Sequence, residues 1–599
     1  MAFCFERPGP VDGWELCVRS LRALALGSAL LLCGGFAPLF GQGNTAGASQ
    51  AEVLRGTVVN GLTREPIGRA LVVSPDNRFA TMTDDRGRFE FRIPSVDSGH
   101  ADQASGTPGV IGAGTGQPQP VTSNRPNFLT ARKNGFLFDN NGMQGVSITP
   151  EQSDVTIALV PEARIVGHVI LAGSEEASGM RVQLYRRQVR EGRAHWDPTG
   201  NAEVRSDGEF RFADLSAGSY KVFTEESLDR DPVTSNRRAQ VFGYPPVYYP
   251  AAADFVGAAV IQLAAGETFQ ATLSPVKREY YPVKIGITNA AVGVQPEVEV
   301  WRQGHEGPGY SLGYDFRDGT IGGSLPNGNY TVQVVSRGTN SSMGIANISV
   351  NGGPLSGAMM TLVPSVAIIL RVTEQFQHPA PKMTSAFSND SQSFTANERR
   401  PNYLQATLVP VEEFGLKPTY SLRPPTGPED ESLVFENVPP GRYRVRVESG
   451  VGYAAAIDCG GTDLQRMPLD VGFGASPPPI EVTVRDDGAD VQGSVAGLPT
   501  SGNRDAAAYP SSQTLGAVYF VATTDGGQMK QAWFQADGKF QVQQLPPGTY
   551  RVLAFEKQQP ELEFANEELM SRYNSKAQVI SVVPGQSENL RLSVITGNE

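Results

Sequence analysis

The chain has four cysteines and five histidines in 599 residues, too few and too scattered for the chemistry those side chains usually serve. Cys4, Cys17 and Cys33 lie near the start, so removal of a leader leaves Cys459 alone and excludes an intrachain disulfide. His100, His168, His195, His305 and His378 are spread along the chain, and none opens a His-X-X-Glu or His-X-X-X-His pair able to hold zinc. A Gly-X-Ser-X-Gly elbow, a Gly-rich phosphate loop and a paired-carboxylate motif are missing as well. Cys459, in Asp458-Cys459-Gly460-Gly461, has no histidine after it and His378 as the nearest before it, which favours a packed thiol over a nucleophile. The expectation is a protein that is not an enzyme and carries no cofactor and no metal.

Positive charge is also sparse. The formal net charge is −12 and no Lys/Arg cluster stands out, so a phosphate backbone finds no electrostatic footprint and nucleic acid is excluded as a partner. Long apolar runs are limited to Ala23–Phe36, shorter than the about 20 residues that span a bilayer. Arg19 and Arg22 precede that run and Ala46-Gly-Ala48 follows it, the pattern of an export signal. Residues 1–48 are therefore expected to be a signal peptide and leader. The mature chain is expected to be secreted, periplasmic or at the cell surface, with no stable membrane span.

Turn formers, by contrast, abound. Gly 66 and Pro 44 suit many short strands joined by tight corners. One phrase returns four times: Leu215…Gly218-Ser-Tyr220-Lys-Val222, Leu325…Gly328-Asn-Tyr330-Thr-Val332, Val438…Gly441-Arg-Tyr443-Arg-Val445 and Leu545…Gly548-Thr-Tyr550-Arg-Val552. Its glycines stand 110, 113 and 107 residues apart, the length of a small domain. Apolar residues alternate on both sides of each corner, the mark of half-buried strands in a β-sandwich. The tyrosines fall just after the corner, where a phenol can bond back to nearby backbone. Asp207-Gly208 and Asp537-Gly538 read as turns, and Asp84-Asp85 and Asp486-Asp487 lack calcium-loop spacing.

Opening strands at Val53, Arg164, Val283, Val366 and Val491 pair with closing strands near Val155, Phe269, Met359, Ile480 and Leu590. The spacing predicts an all-β tandem array of about five sandwich domains, 52–160, 161–275, 276–364, 365–486 and 487–599. Residues 95–127, rich in Gly, Ser, Thr, Pro and Gln, read as a mobile surface insert. A short helix is expected within Glu561–Tyr573.

Four segments of the first domain carry a family resemblance: Leu54-Arg-Gly56-Thr-Val58, Pro66-Ile-Gly-Arg-Ala70, Thr83-Asp-Asp-Arg-Gly87-Arg-Phe89 and Phe128 to Phe136. In that order they resemble the carboxypeptidase regulatory-like domain, which implies a transthyretin-like sandwich, a fold grouped with Cna-B-like and starch-binding-like modules. The second and fifth domains match more loosely, and the third and fourth mainly at the tyrosine strand. Carbohydrate binding is implied by this similarity only.

Two functions follow. The first is a noncatalytic extracytoplasmic scaffold or adhesin-like protein. The second is a carbohydrate-binding protein that stacks sugar rings on Tyr244, Tyr248 and Tyr249 of the proline-rich run Phe242–Pro250. The competing role for those rings is to cover the junction of the second and third domains. The partners left open are polysaccharide and a cell-surface protein.

Overall fold

The computed structural model describes residues 52–93, 126–138, 145–148, 153–173, 175–229, 240–290, 293–338, 341–377, 401, 403–415, 417–427, 430–498, 516–523, 529–534 and 537–596. The leader, most of the insert at 95–127, His100 and His378 lie outside them. Within them the regular secondary structure is nearly all β-strand, with one short helix. Among the described residues no helix is long and apolar enough to cross a membrane.

Alternation explains why the strands form and where they point. Arg88–Ile93 reads exposed and buried in strict succession, with Phe89, Phe91 and Ile93 turned inward. Among the described residues the five largest apolar cores arise from such faces, spanning Leu54–Leu159, Ala163–Leu273, Val283–Leu362, Ile368–Val484 and Ala489–Leu592. Each opens on a strand that has an antiparallel partner on one side and a parallel closing strand on the other: Glu52–Asn60 with Asp154–Pro161, Ala163–Val169 with Thr268–Leu273, Arg278–Thr288 with Leu355–Thr361, Val366–Gln375 with Ile480–Arg485, and Ala489–Ala496 with Ser587–Ile595. Because opening and closing strands run the same way, the chain enters each unit at one end and leaves at the other.

The Gly-X-Val phrase has a steric cause. At Gly56, Gly167 and Gly493 an added Cβ would come within 2.3 Å of a carbonyl of the closing strand and within 2.3–2.6 Å of a ring, that of Phe89, Phe210 or Phe540. The ring of the antiparallel neighbour lies flat over a backbone with no side chain, so glycine and phenylalanine of the two phrases fit one another. The tyrosine phrase has a polar cause. Tyr220, Tyr330, Tyr443 and Tyr550 each donate their hydroxyl to the carbonyl four residues earlier, Ser216, Pro326, Pro439 and Pro546, at 2.7–2.9 Å. Burial raises the hydroxyl pKa of Tyr330, Tyr443 and Tyr550 well above the usual phenol value. The corner thus satisfies a buried polar atom locally.

Asp207 and Asp537 accept from the backbone N–H two residues on, at 2.9 and 3.0 Å, with Gly208 and Gly538 at φ 81° and 71°. The helix is shorter than the sequence suggests, Glu567–Ser571, capped by Asn566. It lays Met570 on the outer face of the last sheet beside Tyr519, Leu553 and Phe555. Cys459 is buried in the fourth core, where its thiol meets the Pro478 carbonyl at 3.3 Å and burial pushes its pKa up.

One sheet crosses residue 276. Val241–Tyr244 pairs with Arg278–Thr288 and with Ser227–Leu228, extending the third core's sheet, while Tyr244 still packs into the second core. The added strands cover an edge that would otherwise expose unpaired backbone groups. A second departure is the long hairpin of Arg181–Arg190 and Arg193–Glu203. Its tip, Glu191-Gly192, has φ of 53° and 67°, the mirror-image turn that matches strand twist.

Two expectations follow. Gly167→Ala should cost about 3 kcal/mol or more, because the new methyl meets backbone on one side and a buried ring on the other. Gly472→Ala, with open space around it, should stay within about 0.5 kcal/mol; equal melting of the two variants would contradict the ring-over-glycine packing. Tyr443→Phe should cost about 1 kcal/mol and Tyr443→Ala about 3 to 5 kcal/mol, read as an earlier transition of the fourth unit in a calorimetric scan.

Candidate functional site: an aromatic joint

The segment 242–258 places its rings inward. Tyr244 and Tyr248 are only 7% and 4% exposed. Tyr249 is half-buried, edge-on to Phe269 at 5.8 Å. Tyr244 donates its hydroxyl to the Glu175 carboxylate, while Lys277 bridges Glu175 and Asp229 at 2.7 Å each and sits about 6 Å from the Phe242 and Tyr244 ring centres. Tyr248 donates to the Pro308 carbonyl in the third unit. The three tyrosines do not share an exposed face, and a sugar stacked on them needs ring surface that packing here covers.

The rings converge on Phe255. Its centroid is 5.1 Å from Tyr185, 6.0 Å from Phe223, 6.4 Å from Tyr248, 6.1 Å from Trp196 and 5.8 Å from Phe414. Edge-to-face pairs of this kind add about 0.5–1.5 kcal/mol each beyond the area they bury. Four of these rings come from the second unit and Phe414 from the fourth. The third unit supplies backbone: a Cβ at Gly307 would stand 2.7 Å from the Phe255 Cβ. Trp196 also makes a short parallel bridge to the fourth unit, its N–H donating to the Glu413 carbonyl at 2.7 Å and its carbonyl accepting from Gly415 N–H at 3.0 Å. His195 Nε2 lies 2.8 Å from the Gly415 carbonyl, as a donor.

Lys221 closes the cluster from below. It is 5% exposed, donates to the carbonyls of Phe255 and Val256 at 2.7 and 3.2 Å, and stands 4.9 and 4.7 Å from the ring centres of Trp196 and Phe255. Burial lowers its pKa, opposed by the charges of Asp254 and Glu413. Asp254 is held below the usual carboxylate range by the Gly257 N–H and by His305, with which it pairs. Further ion pairs tie the units: Lys417 to Glu299 at 2.7 Å and Arg187 to Glu563 at 2.8 Å. Gly192 at the hairpin tip accepts from Ala565 N–H at 3.1 Å, and a Cβ there would strike the Phe564 ring.

Glu226 is the odd group in this joint. It accepts from Ser311 N–H and hydroxyl at 3.1 and 3.2 Å, and its own N–H donates to Gly309. Burial pushes its pKa up to about 7, with the Ser311 bonds opposing. The buried Tyr280 hydroxyl is in turn raised by burial and by the Glu226 charge.

Among the described residues no group of three or more His, Cys, Asp or Glu could hold a metal ion. The arrangement orients and locks. No local pattern marks Phe414 or Lys221, since Phe414 meets Trp196 and Phe255 from far along the chain; the rings of 242–255 were the one readable trace.

No family model matches the chain, and no curated protein matches it. Among solved structures it is similar to the Bacillus anthracis TIE protein, with 8% identity over 73% of this chain and 74% of that one and a TM-score of 0.14. It is also similar to a streptococcal ancillary pilin, with 11% identity over 52% and 98% and a TM-score of 0.16. The minor pilin GBS52 of Streptococcus agalactiae shares 11% identity over 35% and 99%, with a TM-score of 0.14.

Glu226 makes the joint sensitive to pH. Its folded pKa lies above the ordinary 4.5, so its stabilising contribution is full below about pH 4.5 and is lost as pH rises through about 7. Relative to Glu226→Gln, the parent should therefore lose about 3 kcal/mol between those values. Paired melts of the two proteins across pH 4 to 8 check this; parallel curves would rule it out.

Proposed function

We propose that the chain is a noncatalytic extracytoplasmic scaffold of about five sandwich units, the first of carboxypeptidase regulatory-like type, with its middle units held at a fixed mutual orientation. The observation that carries this reading is the placement of Phe255: its segment adds strands to the third unit's sheet while its ring is clasped by the second and fourth. Large aromatic area is buried here between units instead of being presented to a ligand. Chain entry and exit at opposite ends of each unit suit a spacer, and the joint would convert a flexible string into a rigid one. Corner and turn loops then project at set distances, where a surface protein or polysaccharide can meet them.

Amide hydrogen exchange tests rigidity at the joint itself. The N–H groups of Trp196 and Gly415, which bond across units two and four, should exchange slowly in the intact chain. Phe255→Ala should speed both by about a hundredfold while leaving Val445 in the fourth core unchanged, since a buried Phe truncation removes about 3 kcal/mol or more. Exchange at Trp196 and Gly415 as fast as in free loops, already in the parent, would refute a fixed orientation.

A further inference from the structure

The hairpin tip at Glu191-Gly192 is pinned over the strand Gly441–Ser449 by an ion pair between Glu191 and Arg446. On that strand Tyr443, Val445 and Val447 face the core, so Arg442, Arg444 and Arg446 face outward under the tip. Arg193 stands two residues from Glu191 on the hairpin, paired in register with Arg190, and its charge acts on Arg444. The neighbouring guanidiniums are compensated: Arg190 by Asp197 at 2.7 Å, Arg442 by Asp470 at 3.2 Å, and Arg446 by Glu191. Arg193 and Arg444 have no carboxylate within ion-pair distance among the described residues. Glu448, which lies near Arg446, is four residues from Arg444 along an extended strand, or about 13 Å.

We propose that Arg193 and Arg444 form a binding site for an oxyanion, either a tetrahedral sulfate or phosphate group or a carboxylate. The Arg444 Nε is shut off from solvent and has no hydrogen-bond partner, and a buried donor left unpaired is costly. Burial and the charges of Arg193 and Arg442 depress the Arg444 pKa, the mark of a cation held against repulsion. The acidic side chains nearby are taken by other arginines, Glu191 and Glu448 beside Arg446 and Asp470 on Arg442. The planar guanidinium fork matches the paired oxygens of these anions, and two forks meeting across a joint can share one. Because hairpin and strand belong to different units, the bound anion would also clamp the second unit to the fourth.

The test is calorimetric titration of the full chain with sodium sulfate, inorganic phosphate and sodium acetate at constant ionic strength, in the parent, in Arg444→Gln and in Arg193→Gln/Arg444→Gln. Saturable binding of at least one anion in the millimolar range is expected, weakened at least about tenfold by Arg444→Gln and lost in the double variant. The pattern across sulfate, phosphate and acetate separates a tetrahedral group from a carboxylate. In anion-free buffer Arg444→Gln should melt no lower than the parent, because it relieves an uncompensated charge; a structural arginine would give the opposite. No saturable heat with any of the three anions, equal binding by the double variant, or a markedly lower melt for Arg444→Gln without anion would each overturn the proposal.

Discussion

The clasp around Phe255 is the constraint on which the arrangement of the units depends. Five rings surround it, a buried lysine faces it and its neighbour Trp196, and the backbone at Gly307 comes too close to tolerate a side chain. Lys221 satisfies its ammonium with the carbonyls of Phe255 and Val256, so the same contact that seats the ring also pairs the charge. A buried cation bonded to carbonyls and ring faces, with the charges of Asp254 and Glu413 nearby, tolerates little displacement, because opening the cluster breaks those bonds in a medium of low dielectric.

Within each unit a different economy holds. The opening strand is flanked by an antiparallel and a parallel neighbour, and where glycine stands at its centre a phenyl ring fills the space above. The tyrosine at the corner binds the carbonyl four residues before it. Both devices are local to one core and repeat with it. The joint instead uses Lys221 and Phe223 of the tyrosine strand, the long hairpin Arg181–Glu203, the segment 241–258 and the loop at 411–415.

That difference explains what was readable. The β-rich architecture, the corner tyrosines and the Asp-Gly turns could be read from alternation and spacing, because each rests on residues a few positions apart. The helix was placed correctly in the last unit but is confined to Glu567–Ser571, since the residues before it pack as irregular chain around Leu562 and Phe564. The aromatic run at 242–255 stood out in the sequence, and two roles for it were open. The burial of Tyr244 and Tyr248 turns on partners, Glu175 and Pro308, that no local pattern announces.

Sequence alone determined the strand repeat, the short apolar periodicity that forces two-layered cores, and the shortage of histidine and cysteine. Tertiary structure alone decided that Val241–Tyr244 pairs with Arg278–Thr288, that Trp196 meets Phe414, and that the charge of Arg193 acts on Arg444 across two units. The reason is physical. Strand formation is governed by side chains two residues apart, whereas contacts between units depend on the summed geometry of every turn and linker between them, which no single stretch of sequence encodes.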